Sequence, residues 1–293
     1  MRRVAAVAVL GGALSLGACG GSAGAAAGPN APVEEAKGGG SGGGPGSGSG
    51  GGGLGTRAVF PADNPWNQDI STQPVDPNSA ALIDSCGGAP RRVHADFGTV
   101  WNGAPNGIPC VLVVDRLAWK LYELFDAHPL GGGTSWHAGS GAVFDLTSNA
   151  LRPAGWTSAD AAGLPIFPGL VRYDEAVTRG AITHALRFTC PTTRRAYVSP
   201  ARHWASSQTS ASYPPMGMRV RLKASVDISA YPAEVRVILT ALETYGMVLA
   251  DTGSGFFISG APDPRRSDDN LATMGRLTGA DFEVVRMGTI VTS

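Results

Sequence analysis

The feature that most constrains this chain is an abrupt change of composition near its N-terminus. From Gly20 to Gly55 glycine dominates, mixed with Ser, Ala and Pro, and only Glu34, Glu35 and Lys37 carry charge. A stretch with almost nothing to bury cannot offset the entropy of ordering its backbone. It is therefore expected to be a disordered tether, set at residues 20–56. Thirty-six such residues reach about 30–36 Å root-mean-square as a flexible coil. Folding is confined to residues 57–293, which are 237 in number and enough for one well-buried core.

The segment before the tether has the order of an export signal. Met1-Arg2-Arg3 is a positive start, Val4 to Leu16 is apolar and small, and Leu16-Gly17-Ala18-Cys19 closes the segment. The apolar run is too short to be read as a bilayer-spanning helix. The closing residues resemble the lipobox of bacterial lipoproteins. That resemblance implies a signal peptide over residues 1–19 and lipidation of Cys19, whose acyl chains (palmitate among them) would hold the protein on a membrane surface. Gly at position 20, where Asp would favour inner-membrane retention, leans toward the outer membrane in a double-membrane cell. The expected localisation is exported and lipid-anchored, with the membrane as first partner.

Leaving out the residues before Arg57, the domain has 20 basic and 21 acidic residues. With no basic run beyond Arg-Arg pairs, nucleic acid is not an expected partner. Cys86, Cys110 and Cys190 can form one disulfide at most outside the cytoplasm. Cys86 and Cys110 are nearest in sequence, each beside Gly or Pro, and are the expected pair.

Periodicity predicts an α+β, β-rich, compact single domain of many short strands, one long amphipathic helix and several short helices. Val111–Val114 and Trp119–Phe125 read as a hairpin turning at Asp115-Arg116-Leu117. In its second arm Trp119, Leu121, Glu123 and Phe125 share a face. Strands are predicted over Ala142–Leu146, Ala181–Thr189, Ala196–Val198, Met218–Lys223, Met247–Asp251 and Phe256–Ser259, with a last one over Phe282–Met287. In the strand over Met218–Lys223, Met218, Val220 and Leu222 face inward and Arg219, Arg221 and Lys223 face outward. The clearest helix starts near Tyr231-Pro232, with Val235, Ile238, Leu239 and Leu242 in one stripe and Gly246 as its stop.

Candidate chemistry rests on few residues. His184 shares a face with Ile182, Leu186 and Phe188, so it is either a core histidine bonded to backbone or one lining a pocket, where imidazole suits proton transfer. His203, between Arg202 and Trp204, lies just past a strand end. Asp145 and Asp251 each end an apolar strand, where catalytic carboxylates and turn-bonding ones both occur. These four, His184, His203, Asp145 and Asp251, are the candidate catalytic set. His94 and Asp96, two apart on a strand, are the candidate metal pair; no other cofactor is implied. Trp101, Trp136, Trp156 and Trp204 sit among turn-forming residues and offer faces for a sugar ring, with Arg187 as a further substrate contact.

The words Gly155-Trp156-Thr157-Ser158-Ala159-Asp160-Ala161-Ala162-Gly163-Leu164-Pro165, Gly169-Leu170-Val171-Arg172-Tyr173-Asp174-Glu175, Ile182-Thr183-His184-Ala185-Leu186-Arg187-Phe188 and Tyr245-Gly246-Met247-Val248-Leu249-Ala250-Asp251 resemble a family of exported bacterial proteins. The resemblance covers most of residues 60–287. It implies no activity, so it carries no catalytic role over. The chain is shorter than the family pattern between Gly107-Ile108-Pro109 and the Val111 hairpin, so a site built there would be lost. Two functions are expected of such a chain. One is a carbohydrate-active hydrolase or lyase acting on polysaccharide or cell-wall glycan by acid/base chemistry. The other is a non-catalytic envelope protein that binds glycan or a surface protein. Convergence of the candidate residues on one pocket favours the first, and scatter favours the second.

Overall fold

Two sheets set the frame. The computed structural model describes residues 7–11, 54, 57–97, 100–101, 104–105 and 109–292. Cys19 and all of the tether but position 54 lie outside the described residues. A six-stranded mixed sheet has the order Phe282–Val284, Arg219–Leu222, Met247–Thr252, Leu186–Cys190, Phe257–Ser259, His94–Asp96. A four-stranded antiparallel sheet has the order Val7–Gly11, Pro109–Asp115, Lys120–Phe125, Ser140–Asp145. Its first strand lies in the stretch read as the apolar part of the export signal. The mixture of strands and few helices is an α+β fold.

The apolar stripe folds as expected into the helix Ala233–Thr244, which buries Val235, Ile238, Leu239 and Leu242. Twelve residues make it a helix of ordinary length rather than a long one. Gly246 ends it with φ of 66°, a conformation that a side chain disfavours. Among the described residues no helix is long and apolar enough to cross a membrane.

The hairpin forms over Pro109–Asp115 and Lys120–Phe125. Asp115 Oδ1 accepts from the Leu117 and Ala118 amides, which fixes the turn. The strand expected over Ala181–Thr189 starts only at Leu186, because Ala185 N donates to Trp66 O and not to a neighbouring strand. All five of its residues are buried, because both faces of the strand are covered, Leu186 and Phe188 by the apolar core and Arg187 by the segment carrying Asp160.

The cations of Arg219–Leu222 are not solvated as expected. Arg221 donates to the carbonyls of Ile70, Ser71 and Gln73 and to Glu283. Arg219 donates to Pro65, Gln68 and Tyr245. Together they clamp the opening segment onto the sheet, giving partners to carbonyls that have none in a ladder. Burial lowers Arg219 to a pKa of about 10.

The expected Cys86–Cys110 disulfide is corrected. Cys86 bonds Cys190, with Cα atoms 4.7 Å apart, and Cys110 is a free buried thiol. Proximity in sequence misled because the sheet carries the end of the Leu186–Cys190 strand to the end of the first helix, Ser79–Ser85. Cys110 instead starts the hairpin of the other sheet. Burial pushes its thiol up to about 11.

Candidate functional site

The loop Ser158–Phe167 lies between the two sheets and organises everything polar around it. On the central strand, Phe188 is opposite Leu249 but Thr189 is opposite Asp251, so Ala250 is an extra residue, a bulge. Without it Asp251 would point with Phe188 into the apolar core. With it, Asp251 joins the face that carries Arg187 and Thr189. The bulged residue is itself used, since Ala250 O accepts from Ala162 N at 3.0 Å.

Arg187 is the cation of this face that meets the loop. Its Nε and Nη2 donate to Asp160 Oδ2 at 3.2 and 2.8 Å, and its Nη1 to Ser259 Oγ at 2.8 Å. Ser259 pairs laterally with Asp96 on the edge strand. The carboxylates are spent on the loop. Asp160 Oδ1 accepts from Ala162 N, Asp251 from Thr252 N and Ala161 N, and Glu123 Oε1 from Ile166 N and Phe167 N at 2.8 and 2.9 Å.

Too many acids share one guanidinium, and burial sets their titration. Burial pushes Asp96 and Glu123 up to about 7. Burial and then the charge of Asp160 push Asp251 to about 7. Asp160 is also raised by burial, against the pull of Arg187. The loop between these groups is therefore held at both ends by buried hydrogen bonds.

The structure brings Arg187 and Asp251 together, and His203 beside Trp204, but it does not gather the candidate catalytic set in one place. His184 is sealed in: Nδ1 lies 2.8 Å from Ala185 O and Nε2 lies 3.1 Å from Glu175 Oε2. Glu175, in the π-helical turn Asp174–Arg179, also pairs with Arg172 just before it. Asp145 is exposed and bonds the Thr147 amide and hydroxyl, which is turn chemistry. His94 packs at a tilt against Phe257, with centroids 4.3 Å apart, beside an open groove of about 700 Å³. Asp96, two residues on, is instead buried and feels the charge of Arg187. Among the described residues, no three His, Cys, Asp or Glu side chains converge as a metal site.

On its outer side the loop builds a surface. His203 donates from Nδ1 to Ala161 O at 2.9 Å, and the Arg202 and His203 amides both donate to Ala162 O. His203 stacks on Trp204, and Trp204 on Tyr197. The guanidinium of Arg195 lies 5.8 Å from the Trp204 ring. On the other flank Arg202 Nε donates to Arg152 O, and the Arg152 guanidinium lies 5.6 Å from the Trp156 ring.

Gly163 joins the flanks. A side chain there would meet Trp156 O at 2.4 Å and the Cβ atoms of Arg202 and His203 at 3.3 and 3.6 Å. Trp156, His203 and Trp204 are each half-buried. Arg152, Arg195 and Arg202 pair with no carboxylate among the described residues. The result is one surface of two indoles, an imidazole and three guanidiniums without a salt-bridged carboxylate among the described residues, backed by the buried Tyr197.

Of the other tryptophans, Trp66 is buried in the core and Trp136 is 44% exposed on the separate hairpin His128–Leu130 and Ser135–His137. Trp101 lies in the short strand Val100–Trp101, and its side chain is outside the described residues. The sequence reading missed Glu123, Asp160, Glu175 and the three arginines. For Glu123 a signal existed, since it shares a face with Leu121 and Phe125. Asp160 reads locally as a turn former, and nothing local ties it to Arg187. Comparison with family models, with curated proteins and with solved structures finds no match.

Proposed function

We propose that this chain is an exported bacterial lipoprotein, anchored through acylated Cys19 and held off the membrane by its Gly-rich tether. Its domain binds polysaccharide or cell-wall glycan without cleaving it. The observation that carries the reading is the surface at Gly163, where the backbone of Trp156 meets Arg202 and His203, with Trp204 stacked on His203 and Arg152 and Arg195 beside the two indoles. Half-exposed indole faces suit sugar rings, whose C–H edges stack on them while their hydroxyls stay hydrated. A rigid backing loop lowers the ordering cost of binding. The acid/base alternative loses its supports: His184 is bonded on both ring nitrogens, Asp145 serves a turn, and Asp251 is engaged by two backbone amides.

The test is titration calorimetry of the purified protein against a glycan panel, with an assay for new reducing ends run alongside. At least one glycan is expected to bind with no reducing ends formed. Trp156→Ala and Trp204→Ala should each weaken that binding by about tenfold or more, while Trp136→Ala leaves it unchanged. Reducing ends that accumulate with time return the protein to the hydrolase or lyase reading, and a panel without any binder overturns the proposal. For the anchor, Cys19→Ala should abolish incorporation of labelled palmitate.

A further inference from the structure

Arg152 is the most unusual member of this surface. Its guanidinium carbon lies 5.7 Å from the Phe144 ring and 5.6 Å from the Trp156 ring, so apolar faces take the place of water around it. Its Nε is buried and has no hydrogen-bond partner. Burial lowers its pKa, and the charge of Glu123 restores only part of this. A guanidinium held in this way is incompletely satisfied, because each unmade charge-assisted hydrogen bond costs stability.

A crevice opens beside it, lined by Asn64, Trp66, Phe144, Asn149, Arg152 and Gly163 among others, with a volume of about 30 Å³. That is far too small for a sugar ring. It has room for a substituent of a few heavy atoms. We infer that Arg152 and this crevice form a subsite for the carboxylate of a uronic acid, so that the glycan bound across Trp156 is an acidic one. This rests on the glycan-binding reading above. The planar guanidinium fork matches a carboxylate in a way that a point charge does not. The unpaired Arg195 and Arg202 along the same surface favour a chain that carries repeated negative charge.

The experiment uses the full protein and oligouronides prepared from pectate, alginate and hyaluronan, each compared with its carboxyl-reduced, neutral form by titration calorimetry. For the oligouronide that binds, the acidic form is expected to bind about tenfold more tightly than the reduced form. Arg152→Gln should abolish that preference, so that acidic and reduced forms bind alike. Arg152→Lys should keep only part of it and serves as the reading if the Gln variant does not fold. Trp156→Ala should weaken both forms alike. Equal affinity for acidic and reduced forms, unaffected by Arg152→Gln, overturns the subsite and leaves glycan binding standing. Dextran sulfate bound more tightly than any uronide, and undiminished in Arg152→Lys, overturns the carboxylate assignment in favour of a sulfate ester. A protein that binds none of these, nor any neutral glycan, overturns both readings.

Discussion

His184 Nε2 sits 3.1 Å from Glu175 Oε2, while its other ring nitrogen sits 2.8 Å from the carbonyl of Ala185. The ring thus bridges a carboxylate and a main-chain carbonyl, with both of its nitrogens occupied. Burial alone would raise Glu175, but the hydrogen bond and charge of His184, then the charges of Arg172 and Arg179, hold it below its ordinary value of 4.5. The pair is a buried strut.

Removing one side of the strut leaves the other charge unpaired. Glu175→Gln should therefore destabilise by about 3–5 kcal/mol, measured by urea unfolding. A depressed carboxylate stabilises the folded state above its unfolded pKa. The contribution of Glu175 should thus be lost as pH falls below 4.5. His184→Ala should cost a similar amount of stability yet leave glycan affinity of the folded protein intact. Lost affinity without lost stability would contradict the strut.

The acids around Arg187 give the opposite slope in a higher window. Asp96, Glu123 and Asp251 titrate near 7 when folded, above the ordinary values of 3.8 for Asp and 4.5 for Glu. Between those values and about 7 the folded state binds more protons than the unfolded one, so stability falls as pH rises through this window and levels off above it. Unfolding midpoints should be higher at about pH 5 than at about pH 8. Glu123→Gln, whose amide oxygen can still accept from Ile166 and Phe167, should flatten the slope. A midpoint that rises with pH across this window would contradict the assignment.

The disulfide closes a loop with a sequence separation of 104. On the chain-entropy account a loop of that size is worth about 4–5 kcal/mol. Cys86→Ser with Cys190→Ser should lose about that much, and reductant should do the same to the wild type. Thiol titration gives an independent check. Leaving Cys19 aside, no thiol should react in the folded protein, because Cys110 is buried. Only Cys110 should react on unfolding without reductant.

Gly163 has φ of 72° and no room for a Cβ beneath Trp156 O. Gly163→Ala should cost about 1–3 kcal/mol and weaken glycan binding, since Trp156 must move away from His203. Gly180 has φ of 69° with nothing within 4 Å, so Gly180→Ala should cost only about 1 kcal/mol and leave binding alone. Equal losses at both positions would mean that backbone strain alone, and not the fit against Trp156, sets the effect.

The sequence by itself determined the features that depend on a few neighbouring residues. The hairpin turn at Asp115, the stripe of Val235, Ile238, Leu239 and Leu242, and the stop at Gly246 come from periodicity and turn chemistry, which act over one or two turns of chain. The extent of the Leu186 strand and the partner of each charge could not be read that way, because they depend on segments far away. Arg187 meets Asp160, 27 residues distant, and Glu123 meets Ile166, 43 residues distant. A single extra residue at Ala250 decides which face Asp251 takes. Likewise Arg152, Trp156, Arg202 and Trp204 form one surface only because Gly163 lets two loops touch. Local pattern sets which elements form; burial of charge and the packing of loops are properties of the assembled fold, and only the tertiary structure decided them.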